Sequence, residues 1–275
     1  MKHYHLNEIS TPYLTFPILE NIPWITHGFS TRLGGVSSGI HSTMNLGFLN
    51  GDIPENVVEN YQRICSAIGV NPQSVVHAKQ THKDQYRVVT TKDCGKGYCF
   101  ERDYDDIDAL ITNQAGITLT ILTADCVPVY LVDPVQKAIG LVHSGWRGTV
   151  QRIAAKTVEG MRKNFGTKPE DVLAVTGPCI CKSCFEVGDE VADAFLQEFG
   201  SEKYMLISEI KNNKTHIDLP RAIAESLVKI GLKPDNIQMS GLCTACNPEL
   251  LFSHRIMKGK RGTLAAMLAM RDNMV

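Results

Sequence analysis

Long apolar runs are missing from this 275-residue chain: no stretch approaches the roughly 18 uninterrupted apolar residues that a membrane span requires. An excess of one charge is missing too. The 28 Lys and Arg are matched by 29 Asp and Glu, so the formal net charge is −1. Acids and bases are interspersed, which leaves no electrostatic footprint for a nucleic-acid backbone or an anionic membrane, and a small-molecule substrate is expected instead. The opening MKHYHLNEISTPYL has no charged segment leading into an apolar one, which reads as a cytoplasmic chain. Internal repeats, low-complexity tracts and Pro/Ser-rich linkers are lacking, so one domain over residues 1–275 is expected. Familiar catalytic signatures are lacking as well. The glycines of RLGGVSSG have the wrong spacing for a dinucleotide or P-loop site and do not lead into a helix, and neither a G-x-S-x-G elbow nor an H-E-x-x-H helix occurs.

Cysteine is what the chain has in quantity, nine residues in all. In a chain read as cytoplasmic these are reduced thiols, some available to a metal. Val57, Tyr61, Ile64, Cys65 and Ile68 recur at three- and four-residue spacing after Asp52 and Pro54, which predicts a helix with Cys65 in the core. From residue 108 the runs DALIT, ITLTILTA, VPVYLVD and AIGLVHS are short, β-branched and separated by turn residues, the pattern of consecutive strands in a largely buried sheet. A long helix is expected over RGTVQRIAAKTVEGMRKNFG, with an apolar stripe from Val150 to Phe165 and Gly166 as its C-cap. DVLAVTG then reads as a strand, GDEVADAFLQEFG and DLPRAIAESLVKIG as helices, and NIQMSGLC as a late strand. Helices and strands mixed in this way, with neighbouring strands close in sequence, indicate an α+β fold.

Three residues stand where apolar runs meet turns: His82 in HAKQTHKD, Cys126 in TADC and His143 in LVHSGW. Singly, each reads as a structural histidine or a small buried thiol; paired, Cys126 and His143 read as a nucleophile and its base. Together, two imidazoles and one thiolate suit Zn²⁺ and leave a fourth position open, the arrangement of a catalytic site. A competing metal set lies in Cys179, Cys181, Cys184, Cys243 and Cys246, a C-x-C-x-x-C followed by C-x-x-C. The two helices predicted between these motifs are unlike a zinc ribbon, so the alternative is a group of reduced thiols in neighbouring loops.

In order along the chain, HGFSTRLGGVSSG, NLG, GD, QTH, DALIT, TADCVPVYLVD, AIGLVHSGWRGT, GPCI, CFEVGDEV and LFSHR resemble the bacterial YlmD/YfiH family. That family is called both laccase-domain or multicopper polyphenol oxidoreductase and purine nucleoside phosphorylase with adenosine deaminase activity. The resemblance runs from about residue 27 to the C-terminus. It implies a layered α/β/β/α fold with mixed sheets, and a zinc centre made by His82, Cys126 and His143. The sequence departs from the family's pattern at GPCICKSCFEVG, with extra thiols at Cys179 and Cys181, and at His254 of LFSHR, where the family usually has Tyr.

The activity expected from the resemblance is phosphorolysis of adenosine, inosine, guanosine or S-methyl-5'-thioadenosine to base plus ribose 1-phosphate, with deamination of adenosine as a second reaction. Purine nucleosides and phosphate are then the partners, and zinc the cofactor with copper the weaker choice. A monomer or weak homodimer is expected. Arg32 is the candidate for phosphate, with Ser30 and Asn45 nearby for the nucleoside and Gly34 and Gly35 allowing close backbone approach. Asp125, beside Cys126, reads either as an orienting or proton-carrying group or as a turn residue. Trp146 is placed to stack on a base or to cap the core, and Arg147 and Gly148 begin the predicted helix, where an anion is favoured. Rival readings are a copper-dependent polyphenol oxidase, for which the nine scattered histidines supply no recognisable H-x-H pairs, a Cys–His hydrolase by fold analogy, and a metal-dependent binding protein.

Overall fold

In the computed structural model, which describes residues 3–271, the chain begins with β1 (His5–Asn7), β2 (Tyr13–Thr15), α1 (Pro17–Glu20), β3 (Ile25–Ser30), α2 (Pro54–Ile68), β4 (Val75–His77) and β5 (Tyr86–Val88). It continues through β6 (Ala109–Thr112), β7 (Thr118–Thr123), β8 (Val127–Asp133), β9 (Ala138–Ser144), α3 (Trp146–Val150) and α4 (Ile153–Phe165). Then come β10 (Leu173–Thr176), β11 (Glu186–Val187), α5 (Asp189–Ile207), β12 (Ser208–Lys211), β13 (Lys214–Ile217), α6 (Leu219–Lys229), β14 (Ile237–Met239) and β15 (Leu264–Met270). Residues 1–2 and 272–275, which the single-domain expectation also covers, lie outside the described residues.

Two six-stranded sheets result, ordered β1-β2-β3-β15-β7-β4 and β14-β10-β8-β9-β6-β5, together with a three-stranded sheet β11-β13-β12. Both large sheets are mixed, since β4 with β7, β10 with β14 and β5 with β6 run parallel while their other neighbours are antiparallel. Strand periodicity stacks them. Leu264, Ala266 and Leu268 of β15 pack with Tyr130, Val132 and Leu141 of the second sheet, and the alternate residues Ala265 and Met267 pack with Val57, Tyr61 and Ile64 of α2. On the far face of the second sheet, Val127, Val129 and Leu131 of β8 meet Val158 and Met161 of α4, Phe195 of α5 and Ile223 of α6. The order of layers is thus α/β/β/α, an α+β fold. No helix among the described residues is long and apolar enough to cross a membrane.

Local signals account for most helix ends. Pro54 opens α2, and Gly69 closes it at φ 81° with its N–H on the Cys65 carbonyl; Cys65 is buried as expected. Asp218 caps α6 by accepting from the Arg221 N–H. The expected long helix over 147–166 is instead two, α3 and α4, divided at Arg152 in the left-handed region with φ 59°. Tertiary contacts hold the break: Arg152 forms an ion pair with Glu198 of α5, donates to its carbonyl at 3.1 Å, and sits over the Phe199 ring. Gly200, at φ 73°, likewise interrupts α5 where the sequence pattern ended the helix.

Candidate metal centre

The β8–β9 hairpin explains how residues 17 positions apart meet. Its register pairs Pro128 with His143, so Cys126, just before β8, and His143, at the close of β9, arrive at the same rim of the second sheet. On the other side of β9, β6 pairs Ala109 with Val142, which brings Asp108 level with His143. The segment carrying His82 precedes β5, the neighbour of β6, and reaches the same rim. The Gln80 amide fixes that segment by donating to the Leu122 carbonyl at 2.6 Å and accepting from its N–H at 2.8 Å.

One ligand atom each from His82, Cys126 and His143 lie within 4.8 Å of one another. Cys126 Sγ is 3.9 Å from His82 Nε2, and the two imidazole centroids are 4.9 Å apart. Asp108 organises the group. Fully buried, its carboxylate takes His143 Nδ1 at 2.7 Å and accepts the backbone N–H groups of Thr81, His82 and Lys83 at 3.0–3.1 Å. It therefore turns His143 Nε2 toward the cluster and holds His82 in a left-handed conformation, φ 63°. Burial alone would raise the Cys126 thiol, but the imidazoles of His143 and His82 outweigh it and bring it down to about 6. Burial opposes charge on His143, yet Cys126 and Asp108 raise it to about 9. A thiolate, two imidazoles and a carboxylate behind one of them form a donor set that fits a tetrahedral zinc with one position open.

Gly145 is required for this approach. A Cβ there would lie 2.9 Å from His82 Cδ2 and 3.2 Å from Cys126 Sγ. Neither Gly145 nor Asp108 is evident from composition, although Asp108 directly precedes a strand whose partner ends near His143. Arg261 is a further cation that the sequence reading passed over. Burial lowers its affinity for a proton, and the nearby charges of Asp125 and Cys126 act the other way. Arg261 lines a cavity of about 760 Å³ together with Phe48, Tyr98, His77, Lys79 and Arg102. Two buried polar atoms of these lining residues, Arg261 Nε and His77 Nε2, have no hydrogen-bond partner. Burial, with help from Arg102, pushes His77 down to about 3, so its imidazole is neutral.

Other expected site residues are engaged elsewhere. Ser30 is fully buried and its hydroxyl accepts the Ala265 N–H of β15 at 2.9 Å, so it serves the sheet rather than a ribose. Asn45 is also fully buried; its amide bonds Gly47, Asn50, Asp52 and the Thr263 N–H, which shapes one wall of the cavity without presenting a free donor. Arg32 donates to the Ser42 carbonyl twice and to that of Pro248 at 2.6 Å, and lies 4.7 Å over the Phe252 ring. Three of the five guanidinium N–H groups thus tie loops together. Asp125, at φ 89°, accepts from Thr244 Oγ1 at 2.6 Å on one carboxylate oxygen and from the Arg255 N–H at 2.7 Å on the other, which makes it a brace between loops. Half-buried Trp146 packs against the helical layer and carries exposed Arg147 over its ring at 4.3 Å. Helix α3 is a five-residue turn, too short for the anion site expected at its start. His254 lines the same cavity as Arg261.

A family model described as multi-copper polyphenol oxidoreductase laccase matches residues 26–271. The purine nucleoside phosphorylase YlmD of Bacillus subtilis is 32% identical to the chain, over 99% of this chain and 100% of that protein. The adenosine deaminase RL5, from an unknown prokaryotic organism, is 35% identical over 82% of this chain and 87% of its own length. Among solved structures, YlmD from Geobacillus stearothermophilus superimposes with a TM-score of 0.90 at 29% identity, over 99% of this chain and 100% of that one.

Proposed function

The chain belongs to the multi-copper polyphenol oxidoreductase laccase family and is an enzyme, and from that premise we propose that it is a zinc-dependent purine nucleoside phosphorylase that also deaminates adenosine. The observation that carries this reading is the convergence of His82, Cys126 and His143, backed by Asp108, with the charge of the cavity-lining Arg261 acting on Cys126. Zinc in a three-ligand site supplies Lewis acidity and brings the pKa of water to about 7. The volume of the cavity suits a nucleoside, and its aromatic wall of Phe48 and Tyr98 suits a flat purine. Arg261 offers phosphate its guanidinium charge at the cavity wall, and neutral His77 lines the same wall beside the ribose. In phosphorolysis the C1′–N9 bond breaks as a phosphate oxygen bonds to C1′, and the departing base takes up a proton. A fixed guanidinium placed beforehand lowers the barrier by holding the anion next to C1′.

The copper-oxidase reading needs many histidine ligands. Among the described residues, only two groups of ligating side chains converge: the present one with two histidines, and one made of cysteines alone. Neither supplies the ligands of a multicopper centre. Chromatography of products from adenosine, with and without phosphate, tests the proposal. Adenine that appears only with phosphate indicates phosphorylase, and inosine that appears without it indicates deaminase. The absence of both products from zinc-loaded protein overturns the reading.

A further inference from the structure

A second cluster of soft ligands lies outside the site described above. Cys181, Cys184, Cys243 and Cys246 bring all four sulfurs within 4.8 Å of one another, although the two C-x-x-C motifs are 62 residues apart. The pairing of their loops is specific. Cys179 and Cys243 form a parallel bridge, in which the Cys179 N–H donates to the Leu242 carbonyl at 3.2 Å and the Thr244 N–H to the Cys179 carbonyl at 3.0 Å. Each motif is a tight turn: Lys182–Cys184 is a 3₁₀ turn with the Cys184 N–H on the Cys181 carbonyl, and the Asn247 amide closes the other by donating to the Cys243 carbonyl at 2.7 Å. The Cys181 N–H also points at Cys243 Sγ, 3.3 Å away. All four cysteines are free thiols, and Cys184 Sγ lies 3.5 Å from Cys246 Sγ, well beyond the ~2.05 Å of a disulfide.

We propose that Cys181, Cys184, Cys243 and Cys246 hold a second metal ion, a zinc bound by four thiolates with no open position. Tetrahedral coordination at about 2.3 Å puts neighbouring sulfurs about 3.8 Å apart. Separations under 4.8 Å therefore fit one ion at the centre and leave no room for the several irons and sulfides of a cluster. Binding releases up to four protons, one from each thiol. The ion is structural, and its place in the fold shows what it supports. Both cysteine loops brace the residue before Cys126: Thr244 donates to Asp125 Oδ1, Ile180 N–H donates to the Asp125 carbonyl, and Arg255 links Asp125 Oδ2 to the Cys184 and Glu186 carbonyls.

Metal analysis of the purified full chain tests this independently of any turnover. Two zinc ions per chain are expected. Cys126→Ala should lose the one at the histidine centre, and Cys184→Ser/Cys246→Ser the one at the thiolate cluster. Exposed Cys246 alone, as Cys246→Ser, supplies a milder variant should the double one fail to fold. In cobalt-substituted Cys126→Ala protein, intense sulfur-to-cobalt charge-transfer absorption should persist, weaken when Cys246→Ser is added and vanish when Cys184→Ser/Cys246→Ser is added. One zinc per chain in the wild type, left unchanged by Cys246→Ser, overturns the proposal. So does iron at the cluster, or recovery of the four cysteines as two disulfides.

Discussion

Asp108 shows how much one side chain can carry. It accepts four hydrogen bonds, one from the His143 ring and three from the backbone beside His82. Asp108→Asn keeps the shape but removes the charge that orients His143, and by analogy with other residues behind metal ligands it should weaken zinc binding by roughly 10–100-fold. Competition with a chromophoric chelator measures this, and an affinity within twofold of the wild type would refute the role. Cys126 gives a second residue-scale expectation. Only the thiolate reacts with iodoacetamide, so the rate in metal-free protein should rise with pH through about 6, where the thiol is held, and not near its ordinary value of 9. His143→Ala removes the main stabilising charge and should shift that inflection upward. Mass spectrometry of the Cys126 peptide against pH reads both.

At the scale of elements, helix α4 comes close to β5 where Gly160 faces the Tyr86 ring. A Cβ on Gly160 would come 2.6 Å from the Tyr86 ring. Helix propensity alone makes Gly→Ala stabilising by about 1 kcal/mol. Overpacking against an aromatic ring costs about 1–3 kcal/mol, so Gly160→Ala should lower the thermal midpoint, as scanning calorimetry would show. Periodicity revealed α2, α4 and α6 and the strands from β6 to β10, because each has one buried face or a β-branched run. It did not reveal β15. LAAMLAM is composed of helix formers, and only pairing with β3 on one side and β7 on the other makes it a central strand. The break at Arg152 was equally illegible, since Glu198, which holds it, lies 46 residues further on.

For the whole molecule, the candidate site was partly written in the sequence. His82, Cys126 and His143 stand at run-to-turn boundaries, and strand register brings such boundaries to one rim. Arg32, Ser30 and Asn45 also stand near turns, but they bond other parts of the fold, Arg32 the Pro248 carbonyl, Ser30 strand β15 and Asn45 the Asp52 carboxylate, a fact that no local pattern encodes. Arg261 is distant in sequence from the ligands, and it shares a cavity with His77 because β15 and β4 both flank β7. With Arg261 as the phosphate holder, Arg261→Ala should cut adenine formation from adenosine by roughly 10–100-fold, the loss of about 1.5–3 kcal/mol from a charged contact, and spare inosine formation. The ratio of the two products at fixed phosphate reads this, and an unchanged ratio assigns Arg261 to the nucleoside.

The hairpin that delivers Cys126 and His143 has its turn at the opposite end, where Asp133 Oδ1 accepts the N–H groups of Val135 and Gln136 and Val135 is 62% exposed. Chemistry and chain reversal are separated by the seven-residue length of β8, so the turn is a natural place to graft foreign material. A short peptide tag or a fluorophore handle inserted between Val135 and Gln136 should leave zinc uptake as it is in the parent chain. The enzyme could then be tethered to a bead or an electrode by that tip, with its ligand rim facing outward.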